Sequence, residues 1–411
     1  VTGTDRGHGG NATAARDTDE VVIAGVGMHP FGRFPELSLK DLARVAAVRA
    51  LLDAGIGVKD VQAAYSANAM AGMLQGQEMV RGQTVLREIG IDRIPVVNVE
   101  NACASGSSAL AQAVLTVRAG AADVVLAVGF EKMYVSDLAV TLDALESAAD
   151  LDVVRGLGIQ FTAIYAMRLR RLIAEGALTM DDIVDVAVKS HANGALNPYA
   201  QHRKEVTAGQ VRDARRIADP LTLLMCSSIC DGAAAAVVAR RGALESRGPT
   251  VRVAASRGAS GFTARPEGES SLSTMCAEGA YEQAGLGPSD IDLAEVHDAM
   301  APAELLYAEQ LGFCAPGEVS SFFRAGSTRI DGSLPMNTSG GLSSRGHPVG
   351  ATGLAQIAEL VWQLRGEAGA RQVERPRIAL AQNSGGWLEG ESAAANVHIL
   401  ERLEPWDWNR P

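Results

Sequence analysis

The sequence predicts an α/β protein made of two copies of one unit, and two observations carry that prediction. Apolar strand-like runs alternate with helix-like stretches: Val21-Val22-Ile23-Ala24 precedes a helical pattern at about 39 to 54, and Asp123-Val124-Val125-Leu126 follows another. Strands that are apolar throughout belong in buried, mixed or parallel α/β layers. The chain also repeats itself. Leu51-Leu52-Asp53-Ala54-Gly55-Ile56-Gly57 matches Tyr281-Glu282-Gln283-Ala284-Gly285-Leu286-Gly287 in kind, and Ala109-Leu110-Ala111-Gln112-Ala113 matches Gly353-Leu354-Ala355-Gln356-Ile357. The two matches have different offsets because the second copy carries extra residues between its landmarks.

Composition bounds the function. At 411 residues, 47% hydrophobic and 21% charged, the chain has room for two or more core-bearing units. A net charge of −11 argues against a nucleic-acid or anionic-membrane partner and leaves small molecules and proteins. No stretch approaches the ~18 consecutive apolar residues of a membrane span. Residues 1–20 lack an apolar segment and read as a flexible tail rather than a signal peptide. Five cysteines without a pair of C-x-x-C motifs support neither a disulfide framework nor a zinc knuckle. Cys226 and Cys230, between Leu223-Leu224-Met225 and Asp231-Gly232-Ala233, read as core, so no metal is expected. A reducing, cytoplasmic setting follows.

Along the chain, a first half spans residues 21–240 and a second spans 250–411. Within the first, residues from about 134 to 218 depart from the repeat. An amphipathic stretch runs through Arg171, a second begins at Met180, and a polar run, Asn197 to Lys204, follows. This reads as a loop domain inserted over a pocket. Its His202, Arg203 and Lys204 form a basic cluster suited to a phosphate, or else a solvated face.

Three segments carry the chemistry. In Asn101-Ala102-Cys103-Ala104-Ser105-Gly106, a thiol sits at a strand-to-helix turn, where the helix dipole and unpaired backbone N–H groups favour thiolate and can hold an oxyanion. Asn337 to Gly353 crowds glycines around His347 just before the second matched helix, and small residues there admit close backbone approach. Cys103 and His347 each precede the matched helix of their own half. A pseudo-twofold would bring both to one pocket, where the imidazole can deprotonate the thiol. The third segment is Glu295-Val296-His297-Asp298-Ala299-Met300.

In combination, C-A-S-G-S at Cys103, H-D-A-M at His297, G-H-P-V-G-A-T-G at His347 and the late turn Asn383-Ser384-Gly385-Gly386 resemble the thiolase superfamily, and most of all its sterol-carrier-protein-type branch. The resemblance implies a five-layered α-β-α-β-α thiolase fold, a loop domain over a coenzyme A pocket and a homodimer. It implies a CoA-dependent C-acyltransferase that cleaves or forms a β-ketoacyl-CoA through an acyl group on Cys103, with acyl-CoA as substrate and no permanently bound cofactor. In that scheme His347 generates the thiolate, and His297 polarises a thioester oxygen or moves a proton. The N–H groups of Cys103 and Gly385 form the oxyanion hole. Asn383 stands where many thiolases carry a second, proton-transferring cysteine, and an amide does not titrate near neutrality. That departure keeps three alternatives open: a decarboxylative or direct acyltransferase with a Cys-His-His set, a retro-aldolase working with a small OB-fold and zinc-ribbon subunit, and a non-catalytic lipid-binding or scaffolding member.

Overall fold

The computed structural model describes residues 20–155, 157, 160–262 and 270–404. The tail expected at residues 1–20 falls, but for Glu20, outside them. Strands β1 (Val21–Gly32), β2 (Ala63–Ala67), β3 (Val96–Val99), β4 (Val124–Glu131), the short hairpin β5 (Arg216–Ala218) and β6 (Leu221–Thr222), then β7 (Asp231–Arg240), β8 (Val251–Ser260), β9 (Leu293–Glu295), β10 (Ile378–Gly385) and β11 (Ala394–Arg402) follow in chain order. Apart from the hairpin, they form one nine-stranded sheet in the order β3-β2-β4-β7-β1-β8-β11-β10-β9.

That order contains the duplication. In the first half β2 pairs β4 in parallel, while β4 and β1 flank β7 antiparallel. In the second, β9 pairs β10 in parallel, while β10 and β8 flank β11 antiparallel. The halves join through β1 and β8 at Val22 to Arg252 and Ile23 to Val251.

The repeated local sequences fold the same way for the same reasons. Helix Leu39–Ala54 starts at a Ser38 capping box and ends at left-handed Gly55 (φ 72°); helix Leu272–Ala284 starts at Ser271 and ends at left-handed Gly285 (φ 68°). Both positions need a residue that tolerates positive φ. A short 3₁₀ turn follows each, closed by Asp60 accepting from the Gly57 N–H at 2.8 Å and by Asp290 accepting from the Gly287 N–H at 2.7 Å.

Layering follows from where the apolar faces go. Helices Ser105–Arg118 and Thr352–Arg365 form a central layer, with Leu110, Val114, Leu354 and Ile357 packed against Val125 and Ala236 of the first half and Ala379 and Leu400 of the second. Leu42, Ala46 and Ala50 cover the outer face of the first half-sheet at Leu126 and Val237. Cys276 and Ala280 cover the second at Leu380, Val397 and Ile399. The result is the five-layered arrangement. Between 134 and 218 the described residues form helices Leu138–Glu146, Leu151–Val154, Phe161–Ala174, Met180–Ala195 and Ala208–Asp213, the amphipathic stretches expected through Arg171 and from Met180 among them. Among the described residues, no helix is long and apolar enough to cross a membrane.

Where the central helices start, they touch backbone to backbone. A Cβ added at Gly353 would lie 2.5 Å from the Ser107 backbone nitrogen, and one at Gly106 would lie 3.0 Å from the Gly350 carbonyl oxygen. The glycines of the two motifs therefore set how closely the two helix N-termini approach.

Candidate active site

The nucleophile turn is built from strained backbone. After β3, Ala102 adopts φ 47°, a left-handed conformation that costs a non-glycine residue on the order of 1 kcal/mol. The chain then makes a 3₁₀ turn, Ala102–Ala104, before the helix begins at Ser105. Ser105 fastens the turn: its hydroxyl donates to the Ala102 carbonyl at 2.6 Å and accepts from the Asn101 N–H at 2.9 Å. Cys103 projects from this turn beside Met70, Met133 and Val349.

His347 meets it from the other half. Its Nε2 lies 3.2 Å from Cys103 Sγ, and its Nδ1 lies 2.6 Å from Thr352 Oγ1. The Thr352 hydroxyl donates to the Pro348 carbonyl, so it accepts from Nδ1–H, and the lone pair of Nε2 faces the thiol. Thr352 thus fixes the tautomer a general base needs. The turn bearing His347 is held by Glu131, which is fully buried and accepts from the Gly350 and Met70 amides at 3.0 and 3.1 Å. A second buried brace is Glu295, which accepts from Ser339 and Arg345.

His297 completes the group. Its ring lies 5.1 Å from that of His347, centroid to centroid, and it is 4% exposed with both ring nitrogens unpartnered. Its backbone is pinned by a 3.0 Å hydrogen bond from its N–H to Gln382 Oε1. The sulfur and one nitrogen from each histidine lie within 4.8 Å of one another.

Electrostatics depart from the expectation of a resting thiolate. Burial, aided by the negative field of Glu131, pushes the Cys103 thiol up to about 12, against the opposing backbone amides of Gly386 and of Cys103 itself. Desolvation outweighs the helix terminus although Cys103 is only half-buried. Burial also lowers His297 to about 3 and His347 well below its ordinary value, with Arg345 adding positive field at both. At rest the pair is neutral thiol and neutral imidazole. Iodoacetamide labelling of Cys103 is accordingly expected to be slow at neutral pH and to rise about tenfold per pH unit throughout the range below the raised thiol pKa, without the levelling near pH 9 of an ordinary thiol. A rate plateau near neutrality would instead reveal a resting thiolate–imidazolium pair.

The remaining predicted residues are less uniformly placed. The backbone amides that oppose the rise of the Cys103 thiol are its own and that of Gly386, one residue beyond Gly385. Gly385 lies against the nucleophile turn, where a Cβ would be 2.1 Å from the Asn101 carbonyl oxygen. Asn383 is fully buried, and neither end of its amide has a partner. His202 Nε2 bonds Ser228 Oγ at 2.8 Å, while Arg203 and Lys204 are exposed; the segment is tied to the His347 loop by the Gln201 N–H donating to the Arg345 carbonyl. Among the described residues, no hydrogen bond joins these three to Cys103.

Sequence reasoning assigned no role to Thr352, Glu131, Gly386 or Tyr307. Thr352 stands inside the quoted histidine motif and was open to notice; Glu131 and Tyr307 carry no local signature. Tyr307 lines a cavity of about 360 Å³ with Tyr165, Arg168 and Ser273, next to the strand end that meets Cys103.

Comparisons with known proteins place the chain in a family. Residues 21–242 match the family model "Thiolase, N-terminal domain", and residues 258–402 match "Thiolase C-terminal domain-like". The chain is 41% identical over 388 residues to an acetyl-CoA acetyltransferase of Methanothermobacter thermautotrophicus, covering 93% of this chain and 100% of the relative. It is 34% identical to sterol carrier protein 2 of Bos taurus, covering 89% of this chain and 70% of that protein. Among solved structures, the Ltp2-ChsH2(DUF35) aldolase superposes with a TM-score of 0.78 at 28% identity, covering 93% of this chain and 98% of the other.

Proposed function

Because this chain belongs to the thiolase family and is a CoA-dependent C-acyltransferase, we propose that it cleaves or forms a β-ketoacyl-CoA in two half-reactions that share Cys103. The observation that carries this reading is the 3.2 Å contact between the Cys103 thiol and an imidazole whose tautomer is fixed by Thr352.

In the cleavage direction, Cys103 Sγ attacks the β-carbonyl carbon while its proton passes to His347 Nε2. Backbone N–H groups at Cys103 and the Gly385-Gly386 turn stabilise the oxyanion, each such donor being worth about 3 kcal/mol. Collapse breaks the bond between the α and β carbons. It leaves an acyl group on sulfur and the enolate of the departing thioester. His297, neutral across the physiological range, offers an N–H to the enolate oxygen, and the His347 imidazolium returns the proton to carbon. CoA thiol then enters, gives its proton to His347 and takes the acyl group. The proton finally returns to the Cys103 sulfur.

No step passes a proton through Asn383. The acyl chain extends toward the cavity lined by Tyr165 and Tyr307, and a branched or cyclic group such as a steroid side chain fits this reading. A second copy of the chain pairs at the free edge strand β3, beside which Met79, Val80 and Val97 are 75%, 54% and 47% exposed. A small OB-fold subunit remains part of the proposal because the aldolase neighbour is an Ltp2-ChsH2(DUF35) pair.

Intact-protein mass after brief exposure to a panel of acyl-CoA and β-ketoacyl-CoA thioesters tests the reading. An acyl adduct on the wild type that is absent from Cys103→Ala is expected, and its mass names the group transferred. Unlabelled Cys103, together with cleavage of a β-hydroxyacyl-CoA by the Cys103→Ala protein, would move the assignment to retro-aldol chemistry.

A further inference from the structure

We propose that Cys103, His297 and His347 together form a binding site for Zn²⁺ that holds the enzyme in a reversible inactive state. Zinc takes thiolate and imidazole ligands in a tetrahedron, with bonds of about 2.3 Å to sulfur and 2.0 Å to nitrogen, which separates the ligand atoms by roughly 3.3–3.6 Å. Cys103 Sγ and His347 Nε2 are already 3.2 Å apart, and the full set lies within 4.8 Å. A small rotation of the His297 ring closes the difference.

Two further observations point to a cation. His297 is a buried imidazole with no partner for either nitrogen, so a lone pair can be aimed at the metal without breaking an existing bond. His347 has its second nitrogen held by Thr352, the outer-shell bond that metal-ligating histidines use to present the other nitrogen. Three protein ligands leave a fourth position for water. Among the described residues this is the one such grouping of metal-ligating side chains, and its members come from three distant stretches of chain. The spacing of Cys226 and Cys230 gave no hint of it.

Binding converts the Cys103 thiol to a zinc-bound thiolate and releases its proton to water. Nothing is oxidised or reduced. The bound thiolate cannot attack a carbonyl, and His347 Nε2 can no longer take a proton, so a chelator should restore activity fully.

The inference depends on the geometry of the three side chains rather than on the direction or substrate of catalysis, so its test includes readouts other than turnover. Zn²⁺ affinity would be measured by competition with a chromophoric chelator on the full chain under reducing conditions, with Co²⁺ as a spectroscopic substitute. We expect one Zn²⁺ per chain, a thiolate-to-cobalt charge-transfer band that is lost in Cys103→Ala, and affinity at least tenfold weaker in His297→Ala. Affinity should also rise about tenfold per pH unit below the thiol pKa, because one proton leaves. Thermal unfolding of each variant, with Cys103→Ser as a second probe, separates ligand loss from misfolding. Unchanged affinity in folded Cys103→Ala or Cys103→Ser would place the metal elsewhere and overturn the site. Stoichiometric binding at Cys103 without inhibition of wild-type turnover would overturn the inactive state.

Discussion

The His347→Ala enzyme is expected to acylate Cys103 about 10²–10⁴-fold more slowly than the wild type at neutral pH, the usual cost of losing a positioned general base. The thiol is protonated at rest, since burial and Glu131 raise it to about 12, so attack on a thioester requires a base at the sulfur. His347 Nε2 is the hydrogen-bonded candidate at 3.2 Å. The pH signature distinguishes this from a structural effect. Because the His347 pKa is lowered, the wild-type base stays unprotonated as pH falls through the ordinary histidine range, and acylation should hold its rate there. The variant, relying on solvent to remove the proton, should gain about tenfold per pH unit. Thr352→Val should give an intermediate loss of roughly 10–100-fold, because it frees the tautomer without removing the imidazole. Rapid-quench mass spectrometry of the acyl-enzyme measures all three proteins. Wild-type acylation rates in His347→Ala would remove the histidine from the first half-reaction.

Gly353→Ala should be nearly as damaging although the residue carries no chemistry. The new Cβ would stand 2.5 Å from the Ser107 backbone nitrogen, on the opposing central helix, and 2.9 Å from Asn383 Oδ1. Backbone cannot yield as a flexible side chain does, so the helices must separate. Overpacking of this kind costs about 1–3 kcal/mol of stability. The larger consequence is kinetic: each helix follows one member of the Cys103–His347 pair, and a shift near 1 Å costs about 10²-fold in rate. We expect lower melting temperature and reduced acylation together. Gly248→Ala, whose nearest contact would be 3.8 Å, serves as the matched control. A Gly353→Ala protein with wild-type stability and acylation would refute the claim that this contact sets the site.

Local chemistry made much of the fold legible. The Gly55 and Gly285 stops, the serine caps and the apolar strands are each decided within a few residues, and the duplication follows because the same short signals occur twice. The Cys103, His297 and His347 segments were likewise visible, since nucleophile turns and glycine-lined histidine loops need particular neighbours in sequence. Their convergence was inferred from the repeat, and the 3.2 Å contact sits where the helix starts pack closely at Gly106 and Gly353.

The protonation state of the site belongs to the tertiary structure alone. A cysteine before a helix reads as an activated thiolate, yet burial and Glu131, 28 positions along the chain and on another strand, reverse that tendency. The tautomer of His347 and the unpaired ring of His297 are likewise set by groups from different segments. Local sequence specified which residues were available and which turns would carry them. Only the fold decided their charge and reach, because desolvation and distance depend on everything packed around a group rather than on its neighbours along the chain.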